Sequence, residues 1–240
     1  MITRWLRRLE RRSLEKAGLD SRPMRRDDWK GLGSEEAFSH IYRKGLWGSG
    51  PGFQSGEGSR DPDVVLPYVA AVLRWADDRG ALDVVDLGCG DFVVGRQIRP
   101  AFRAYVACDV VPALIAHHLA GPDAGTVDFR CLDLSRDPLP PGDVVFIRQV
   151  LQHLPNAMIS KLVPKLYAFR WLVLTEHLPI DPNFPPNRDK PIGPGIRKEL
   201  GSGVDLCARP FNLKVKGAQV LCEVPQFGGI IRTTAYQLQG

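Results

Sequence analysis

The sequence has little of what several classes of protein require. No apolar run approaches the roughly 20 residues that cross a bilayer, and the N-terminus lacks the apolar core of a secretory signal, so we expect a cytoplasmic protein. The five cysteines include no Cys-x-x-Cys pair, and no histidines stand near them at metal-ligand spacing. We therefore expect reduced thiols packed in the core and no metal site.

Net charge is also scarce outside the N-terminus. The 240 residues contain 32 Lys and Arg against 27 Asp and Glu. The first 30 residues alone hold ten of the bases and five of the acids, so the remainder is formally neutral, which argues against nucleic acid as a partner. Apolar residues at helical spacing over 2–17 predict a basic amphipathic arm. Its expected contact is a membrane surface, its own domain or the second subunit of a homodimer.

What is present indicates a soluble α/β protein. Short β-branched runs alternate with stretches of helical periodicity, a pattern typical of a parallel sheet covered by helices on both faces. We predict a Rossmann-like seven-stranded, mostly parallel sheet with a C-terminal antiparallel hairpin and an N-terminal helical extension. The predicted strands cover 82–87, 104–109, 127–131, 143–147, 171–175, 218–224 and 229–238. The predicted helices of the α/β part cover 63–79, 93–102, 111–120 and 156–169.

The strongest local signal is a glycine-rich turn after the first predicted strand. Gly88 and Gly90 lead from a buried strand into a helix, and glycines let the backbone turn tightly and approach a ligand. The third glycine of a dinucleotide-binding loop is replaced by Val93, and Asp91 adds an acid where a phosphate would be repelled. The loop therefore favours a cationic ligand without phosphate, a description that fits S-adenosylmethionine.

Three acids follow three successive predicted strands. Asp86 lies at the end of the first, Asp109 lies 21 residues beyond Gly88 at the end of the second, and Asp133 follows the third. An acid at the position of Asp109 is the expected acceptor for ribose hydroxyls. Asp133 is placed to accept the amino proton of adenine. Each acid alone is compatible with a loop cap, but together they predict one nucleoside site along a single sheet edge.

These motifs resemble those of the class I S-adenosylmethionine-dependent methyltransferases. The segment 86–92 (DLGCGDF) resembles motif I of that family, and 143–148 (DVVFIR) resembles its motif after strand four. The segments 55–59 (SGEGS) and 148–154 (RQVLQHL) are similar to a bacterial subgroup whose acceptor is poorly defined. Phe92 stands where the family often has a third glycine, and Gln149 stands where the subgroup often has Asp.

The resemblance implies a fold, a cofactor and a set of residues. The cofactor is S-adenosylmethionine. We predict an arm and a Gly/Ser-rich cofactor-side extension over 1–62, and a methyltransferase domain over 63–240. Residues 176–210 contain seven prolines and are predicted to form an insertion that covers the acceptor. The residues expected to bind the cofactor are Trp47, Asp86, Gly88, Cys89, Gly90, Asp91, Asp109, Val110, Asp133, Leu134 and Arg148.

The expected reaction is methyl transfer to a small molecule or a glycan, on oxygen. A hydroxyl acceptor calls for a general base, and the candidates are His153, His177 and Glu176. His117 and His118 are interpreted as structural or exposed. Three alternatives stay open: RNA or protein methylation guided by the basic arm, an inactive cofactor-binding scaffold indicated by Gln149, and a nicotinamide-dependent oxidoreductase.

Overall fold

The structure is a computed structural model of the chain and describes residues 29–48 and 50–239. The chain divides into two units, Met1–Lys30 and Gly31–Gly240, and every element named below belongs to the second. The helical arm predicted over 2–17 and its contacts lie outside the described residues. The boundary predicted at residue 62 stays a prediction; residues 31–62 lie in the same compact unit as the sheet.

Seven strands form one sheet in the spatial order β3-β2-β1-β4-β5-β7-β6. All pairings are parallel up to β5, whereas β7 runs antiparallel to both β5 and β6. The Rossmann-like fold with a closing hairpin is therefore confirmed. In chain order the strands are β1 Asp83–Leu87, β2 Ala104–Asp109, β3 Asp128–Cys131, β4 Val144–Arg148, β5 Trp171–Pro179, β6 Val215–Gln226 and β7 Gly229–Leu238.

Helices connect and cover these strands. The helix that precedes β1 begins where the Asp61 carboxylate accepts a hydrogen bond from the Asp63 amide, and Pro62 occupies the first turn. The helix predicted over 93–102 is shorter than expected because Pro100 converts its second half into a 3₁₀ turn. The α-helices are α1 Ser34–Arg43, α2 Pro62–Asp77, α3 Gly95–Ile98, α4 Pro112–Leu119 and α5 Asn156–Leu166.

Phe92 occupies the position where motif I often has a third glycine, and the core accommodates it. Its φ of 58° is the left-handed conformation that glycine adopts most readily. The ring is buried, and it packs edge-on against Tyr105 and Phe129 with centroid distances of 5.6 and 5.1 Å. A Cβ on Gly95 would lie 2.4 Å from this ring, so the small residue that aromatic packing requires has moved to position 95. Core packing thus compensates for the backbone strain at Phe92.

Strand β5 is longer than predicted, and this changes where two candidate residues lie. Glu176 and His177 belong to the strand and pair with Arg232 and Ile231 of β7. Because successive residues of a strand point to opposite faces, their side chains diverge. The strand predicted over 171–175 left both residues in the loop that follows it, and that boundary is wrong.

The segment after β5 is ordered by buried polar groups despite its lack of helices and long strands. The Asn187 amide group donates to the carbonyls of Asp205 and Arg209 and accepts from the Asp205 amide. The Arg197 side chain is fully buried and donates to the carbonyls of Arg188 and Leu154. Within the described residues, no helix is long and apolar enough to cross a membrane.

Candidate functional site

A cavity of about 620 Å³ opens at the carboxyl ends of the central strands. Its lining comes from the ends of β1, β2 and β4, the segment after β3, and residues 34–59 of the N-terminal side. The chain moves from β1 outward to β3 and then returns to add β4 on the other side of β1. Such a switch in strand order creates a crevice, which is where open α/β sheets bind ligands.

The glycine turn lies at the centre of this cavity. Gly88 and Gly90 have φ values of 81° and 55°, and the Gly88 and Cys89 amides donate to the Cys108 carbonyl. A Cβ on Gly90 would lie 2.3 Å from the Ser55 Oγ. Glycine is therefore required here by the backbone conformation and by the close approach of a second chain segment.

Asp109 is the acid best placed to bind a ligand. It is buried at the end of β2, where its two carboxylate oxygens accept from the amides of Val111 at 3.1 Å and Gly90 at 3.2 Å. Burial raises the pKa of Asp109 to about 6, although these amides oppose the shift. Because a carboxylate offers about four lone-pair sites, acceptor capacity remains for ligand hydroxyls in the cavity that it lines.

Asp86 has a different environment although it is only two residues from the turn. Its carboxylate accepts a hydrogen bond from the Tyr105 hydroxyl at 3.0 Å, and burial raises the pKa of Asp86 to about 7. The Tyr105 bond opposes this rise without cancelling it. The residue lines the cavity, so a cationic ligand group beside it would favour its ionised form.

Asp91 is bound by the protein itself, which corrects the reason for selecting it. Its carboxylate pairs with the Arg60 guanidinium at 2.7 Å and accepts from the Ser55 amide at 3.2 Å. These contacts attach residues 55–60, called the strap below, to the glycine turn. The charge that was expected to select a cationic ligand is neutralised by Arg60 instead.

The other predicted cofactor residues on this side also line the cavity. Cys89, Val110 and Leu134 contribute to its wall. Asp133 lines it as well, but one carboxylate oxygen already accepts from the Ser135 amide at 2.8 Å and hydroxyl at 2.7 Å. The structure therefore brings all of the acids at the strand ends to one cavity, as predicted, and gives each a different set of partners.

Arg148 at the end of β4 is a half-buried cation without a carboxylate partner among the described ion pairs. Its guanidinium lies 4.9 Å from the Tyr68 ring centroid and donates to the Gly58 carbonyl at 2.6 Å. Its Nε is buried and has no hydrogen-bond partner. Burial lowers the pKa of Arg148, as expected for a desolvated cation.

Aromatic side chains close the N-terminal side of the cavity. Trp47 packs edge-on against Tyr42 with ring centroids 5.5 Å apart, and its ring lies 4.9 Å from the His153 ring. Both Trp47 and His153 line the cavity. The contact connects the N-terminal extension to the turn after β4.

The three candidate bases differ in how far other protein groups already occupy their basic atoms. The His153 Nδ1 lies 3.2 Å from the Gly193 carbonyl, its Nε2 lies 3.4 Å from the Gln152 amide nitrogen, and burial lowers its pKa to about 3. The His177 Nε2 lies 2.9 Å from the Gln226 carbonyl, and burial also lowers the pKa of His177. Both imidazoles are neutral near pH 7.

Glu176 does not line the cavity; it binds the backbone of the turn behind the cavity wall. Its Oε1 accepts from the Leu151 amide at 3.2 Å, while its Oε2 is buried without a partner. Burial raises the pKa of Glu176 to about 8, opposed by the charge of Arg197. Arg197 in turn binds the Leu154 carbonyl, so these two residues hold the turn after β4 from both ends.

Two contributors to the site were not identified from the sequence. The His118 Nε2 lies 2.7 Å from the Gly90 carbonyl and its ring stacks on Phe129, so this histidine supports the glycine turn. Tyr105 donates a hydrogen bond to Asp86 from the start of β2. Neither residue belongs to a recognisable sequence motif, because each acts through a contact with a residue that is distant in the chain. His117 makes no comparable contact with the turn and is exposed.

No cluster of three His, Cys, Asp or Glu side chains suited to a metal ion occurs among the described residues. All five cysteines are free thiols. The polar side chains around the cavity carry carboxylates, amides, imidazoles, hydroxyls, thiols and one guanidinium.

No protein-family model matches the sequence, and no curated protein matches it significantly. Solved structures match its fold. The N-methyltransferase NodS of Bradyrhizobium japonicum, in complex with S-adenosylhomocysteine, has a TM-score of 0.61 at 12% identity, over 84% of this chain and 98% of that one.

Two further structures agree. The 1,6-didemethyltoxoflavin-N1-methyltransferase of Burkholderia thailandensis has a TM-score of 0.56 at 17% identity, over 92% of this chain and 94% of that one. Human N-acetylserotonin methyltransferase has a TM-score of 0.54 at 17% identity, over 95% of this chain and 66% of that one. This chain has the fold of the class I S-adenosylmethionine-dependent methyltransferases, the family that its motifs resemble.

Proposed function

We propose that this protein transfers a methyl group from S-adenosylmethionine to a small-molecule acceptor. The observation that carries the proposal is the position of Asp109: a buried carboxylate with spare acceptor capacity, next to the glycine turn, in the crevice at the switch in strand order. The neighbours of similar fold are methyltransferases whose structures hold S-adenosylmethionine or S-adenosylhomocysteine, which supports the same cofactor here.

The residues around the cavity fit each part of this cofactor. Asp109 would accept hydrogen bonds from the ribose hydroxyls, and the segment after β3 with Asp133 would face the adenine. Asp86 would lie near the cationic end. Arg148 is a half-buried guanidinium without an anionic partner among the described ion pairs, so the carboxylate of the methionine moiety is the group that it would bind.

The cofactor supplies an activated methyl group: an incoming nucleophile forms a bond to the methyl carbon while the carbon–sulfur bond breaks and its electron pair stays on sulfur. The protein's task is to orient the two partners and exclude water. Trp47, the strap and the turn after β4 surround the space between the cofactor residues and the acceptor. Arg148 fixes the strap by donating to the Gly58 carbonyl.

The state of the candidate bases supports one choice of methylated atom over another. The sequence favoured an oxygen acceptor, including glycan hydroxyls, and a hydroxyl needs a base to remove its proton. His153 has both ring nitrogens engaged, His177 has one engaged, and Glu176 lies outside the lining. A nitrogen with a free lone pair needs no such base, so our proposal takes nitrogen as the methylated atom in place of oxygen.

Isothermal titration with S-adenosylmethionine and S-adenosylhomocysteine tests the proposal directly. We expect both to bind with one-to-one stoichiometry. Failure of both to bind a protein that is folded by circular dichroism would contradict it. Binding of both without turnover across a broad acceptor panel would favour the scaffold alternative. Binding of NADH in their place would favour the oxidoreductase.

Deletion of the basic arm tests the alternative of RNA or protein methylation. Deletion of residues 1–30 should leave S-adenosylhomocysteine binding unchanged under the proposed function. RNA or protein methylation predicts activity that falls steeply with salt and is lost in the same deletion. The contacts of the arm with a membrane, with its own domain or with a second subunit stay predictions, as do the homodimer and the cytoplasmic location.

A further inference from the structure

The cavity has two halves of different chemistry. The half over β1, β2 and β3 contains the carboxylates already assigned to the cofactor. The other half, called the acceptor half below, lies over β4, β5 and the turn between β6 and β7. It is lined by Leu46, Trp47, Gln149, Gln152, His153, Leu154, His177, Pro194, Ile196, Gln226 and Phe227.

The acceptor half carries no formal charge. Within the described part of the chain, none of the residues that line it is Lys, Arg, Asp or Glu. Its polar groups are the amides of Gln149, Gln152 and Gln226 and two imidazoles, whose burial keeps them neutral. Two further acids line the cavity: Asp91 is paired with Arg60, and Glu57 belongs to the strap and is exposed to solvent.

The cations close to this half already donate hydrogen bonds to protein groups. The Lys190 Nζ donates to the carbonyls of His153 and Pro191, at 3.2 and 2.8 Å. The Lys198 Nζ donates to the Phe227 carbonyl at 2.7 Å. Arg148 donates to the strap and to the Gln149 side-chain oxygen, the latter at 3.1 Å, and it is assigned to the cofactor carboxylate in the proposed function. An anionic acceptor would therefore lose its hydration without gaining a counter-ion.

A cationic acceptor would also lack a counter-ion. The acceptor half supplies no carboxylate, and the positive sulfur of the cofactor would repel it at the reaction distance. What the half does offer is amide and imidazole hydrogen bonding between apolar surfaces, with the rings of Trp47 and Phe227 among them. Such a surface suits a flat molecule whose polar groups are neutral.

We infer that the acceptor is an uncharged ring compound that hydrogen-bonds through neutral groups, and that carboxylated, phosphorylated and cationic analogues are excluded. This inference rests on the proposed function, because it assigns the other half of the cavity to S-adenosylmethionine.

Two matched triplets of fragments test the inference. The first is nicotinamide, nicotinate and 3-(aminomethyl)pyridine; the second is 4-aminobenzamide, 4-aminobenzoate and 4-(aminomethyl)aniline. In each, one ring carries a neutral, an anionic or a cationic substituent at pH 7.5. Their dissociation constants are measured on the full-length protein saturated with S-adenosylhomocysteine. We expect each neutral member to bind at least ten-fold more tightly than its charged analogues.

The outcomes separate this inference from the proposed function. Equal or tighter binding of a charged member overturns the inference. The absence of binding by both neutral members, with S-adenosylhomocysteine still bound, also overturns it and leaves the cofactor assignment standing. Failure of S-adenosylhomocysteine to bind contradicts the proposed function first.

Substitution at Phe227 links the preference to the acceptor half. This side chain lines the cavity and is 62% exposed, so replacing it should leave the fold intact. We expect Phe227→Lys to shift the binding ratio of nicotinate to nicotinamide several-fold toward nicotinate. Phe227→Gln, which adds no charge, and Val220→Lys, which adds the same charge at an exposed position outside the cavity lining, should leave the ratio unchanged. An unchanged ratio in Phe227→Lys would overturn the placement of the acceptor.

Discussion

Ser55 and Asp91 form two reciprocal hydrogen bonds across the entrance of the glycine turn. The Asp91 amide donates to the Ser55 Oγ at 2.7 Å, and the Ser55 amide donates to the Asp91 carboxylate at 3.2 Å. The two residues are separated by 36 positions, yet their backbones are fixed to each other. Arg60 adds its ion pair to the same carboxylate. The strap is thereby held against the segment that would contact the cofactor.

Ser55→Ala should weaken both the fold and the binding of S-adenosylhomocysteine. The substitution removes the acceptor of the Asp91 amide, and a hydrogen bond of this kind contributes about 1 kcal/mol. We expect a roughly five-fold higher dissociation constant, measured by calorimetry, and a lower midpoint in thermal unfolding. Ser59→Ala is the matched control in the same strap, because the Ser59 hydroxyl has only a long 3.4 Å contact with Arg148. Equal effects of the two variants would contradict the prediction.

Asp109→Asn should weaken S-adenosylhomocysteine binding by at least ten-fold. The amide keeps one acceptor oxygen but loses the charge, and a hydrogen bond to a charged group contributes about 1.5–3 kcal/mol. Asp128→Asn is the control, because that carboxylate is exposed in β3 and pairs with Arg130 outside the cavity. Binding that is unchanged in Asp109→Asn would remove the observation on which the proposed function depends.

The same residue predicts how cofactor binding depends on pH. Burial raises the pKa of Asp109 to about 6, and the ionised form is the one that accepts both ribose hydroxyls. Affinity for S-adenosylhomocysteine should therefore be highest above pH 6 and fall as pH decreases through this value. In Asp109→Asn the fall should be smaller over the same range. Calorimetric titrations between pH 5 and pH 8 measure both.

Arg148→Met should discriminate between two ligands that differ in the amino-acid moiety. S-adenosylhomocysteine carries the carboxylate that we assign to Arg148, whereas 5′-methylthioadenosine lacks it. We expect the substitution to weaken the first at least ten-fold and the second less than two-fold. A purely structural role, through Tyr68 and Gly58, would weaken both equally and would contradict the assignment. Arg170→Met, at an exposed position outside the cavity lining, serves as the control.

Glu176→Gln should become more stable relative to the wild type as pH rises. Burial raises the pKa of Glu176 from 4.5 to about 8, so the folded protein disfavours the ionised form. The resulting loss of wild-type stability is absent below about pH 4.5 and grows as pH approaches 8. Glutamine cannot ionise and keeps an acceptor for the Leu151 amide.

The measurement is the difference in unfolding free energy between variant and wild type, from urea titrations at several pH values. This free-energy difference should shift in favour of the variant as pH rises from 4.5 to 8. Glu199→Gln, an exposed substitution in the insertion, should produce no such trend. A difference that is constant with pH would show that Glu176 is ionised throughout in the folded protein.

His153→Gln should leave methyl transfer within about ten-fold of the wild type, measured with an acceptor from the neutral fragment series. A general base contributes 10²–10⁴-fold, and both nitrogens of this imidazole are already engaged. The pH profile of kcat should keep its shape in the variant. A loss of kcat of a hundred-fold or more, with unchanged KM and stability, would restore His153 as the base.

The sequence by itself determined the sheet and the location of the site. Near-continuous apolar runs such as Val84–Val85 are buried on both faces, so they predict parallel strands. The spacing from Gly88 to Asp109 follows from one strand–helix–strand unit, which local pattern can establish. The strand ends of such a sheet meet at one edge, and this placed Asp86, Asp109 and Asp133 at a common cavity.

Only the tertiary structure decided what each polar group can do. Asp91 is neutralised by Arg60 and Glu176 lies behind the cavity, although the sequence gives both the same appearance as Asp109. His118 supports Gly90 from a helix that carries no motif. The physical reason is that desolvation and hydrogen bonding set the charge and availability of a side chain, and both depend on contacts between residues distant in the chain. Periodicity and spacing describe neighbours in sequence and contain no information about those contacts.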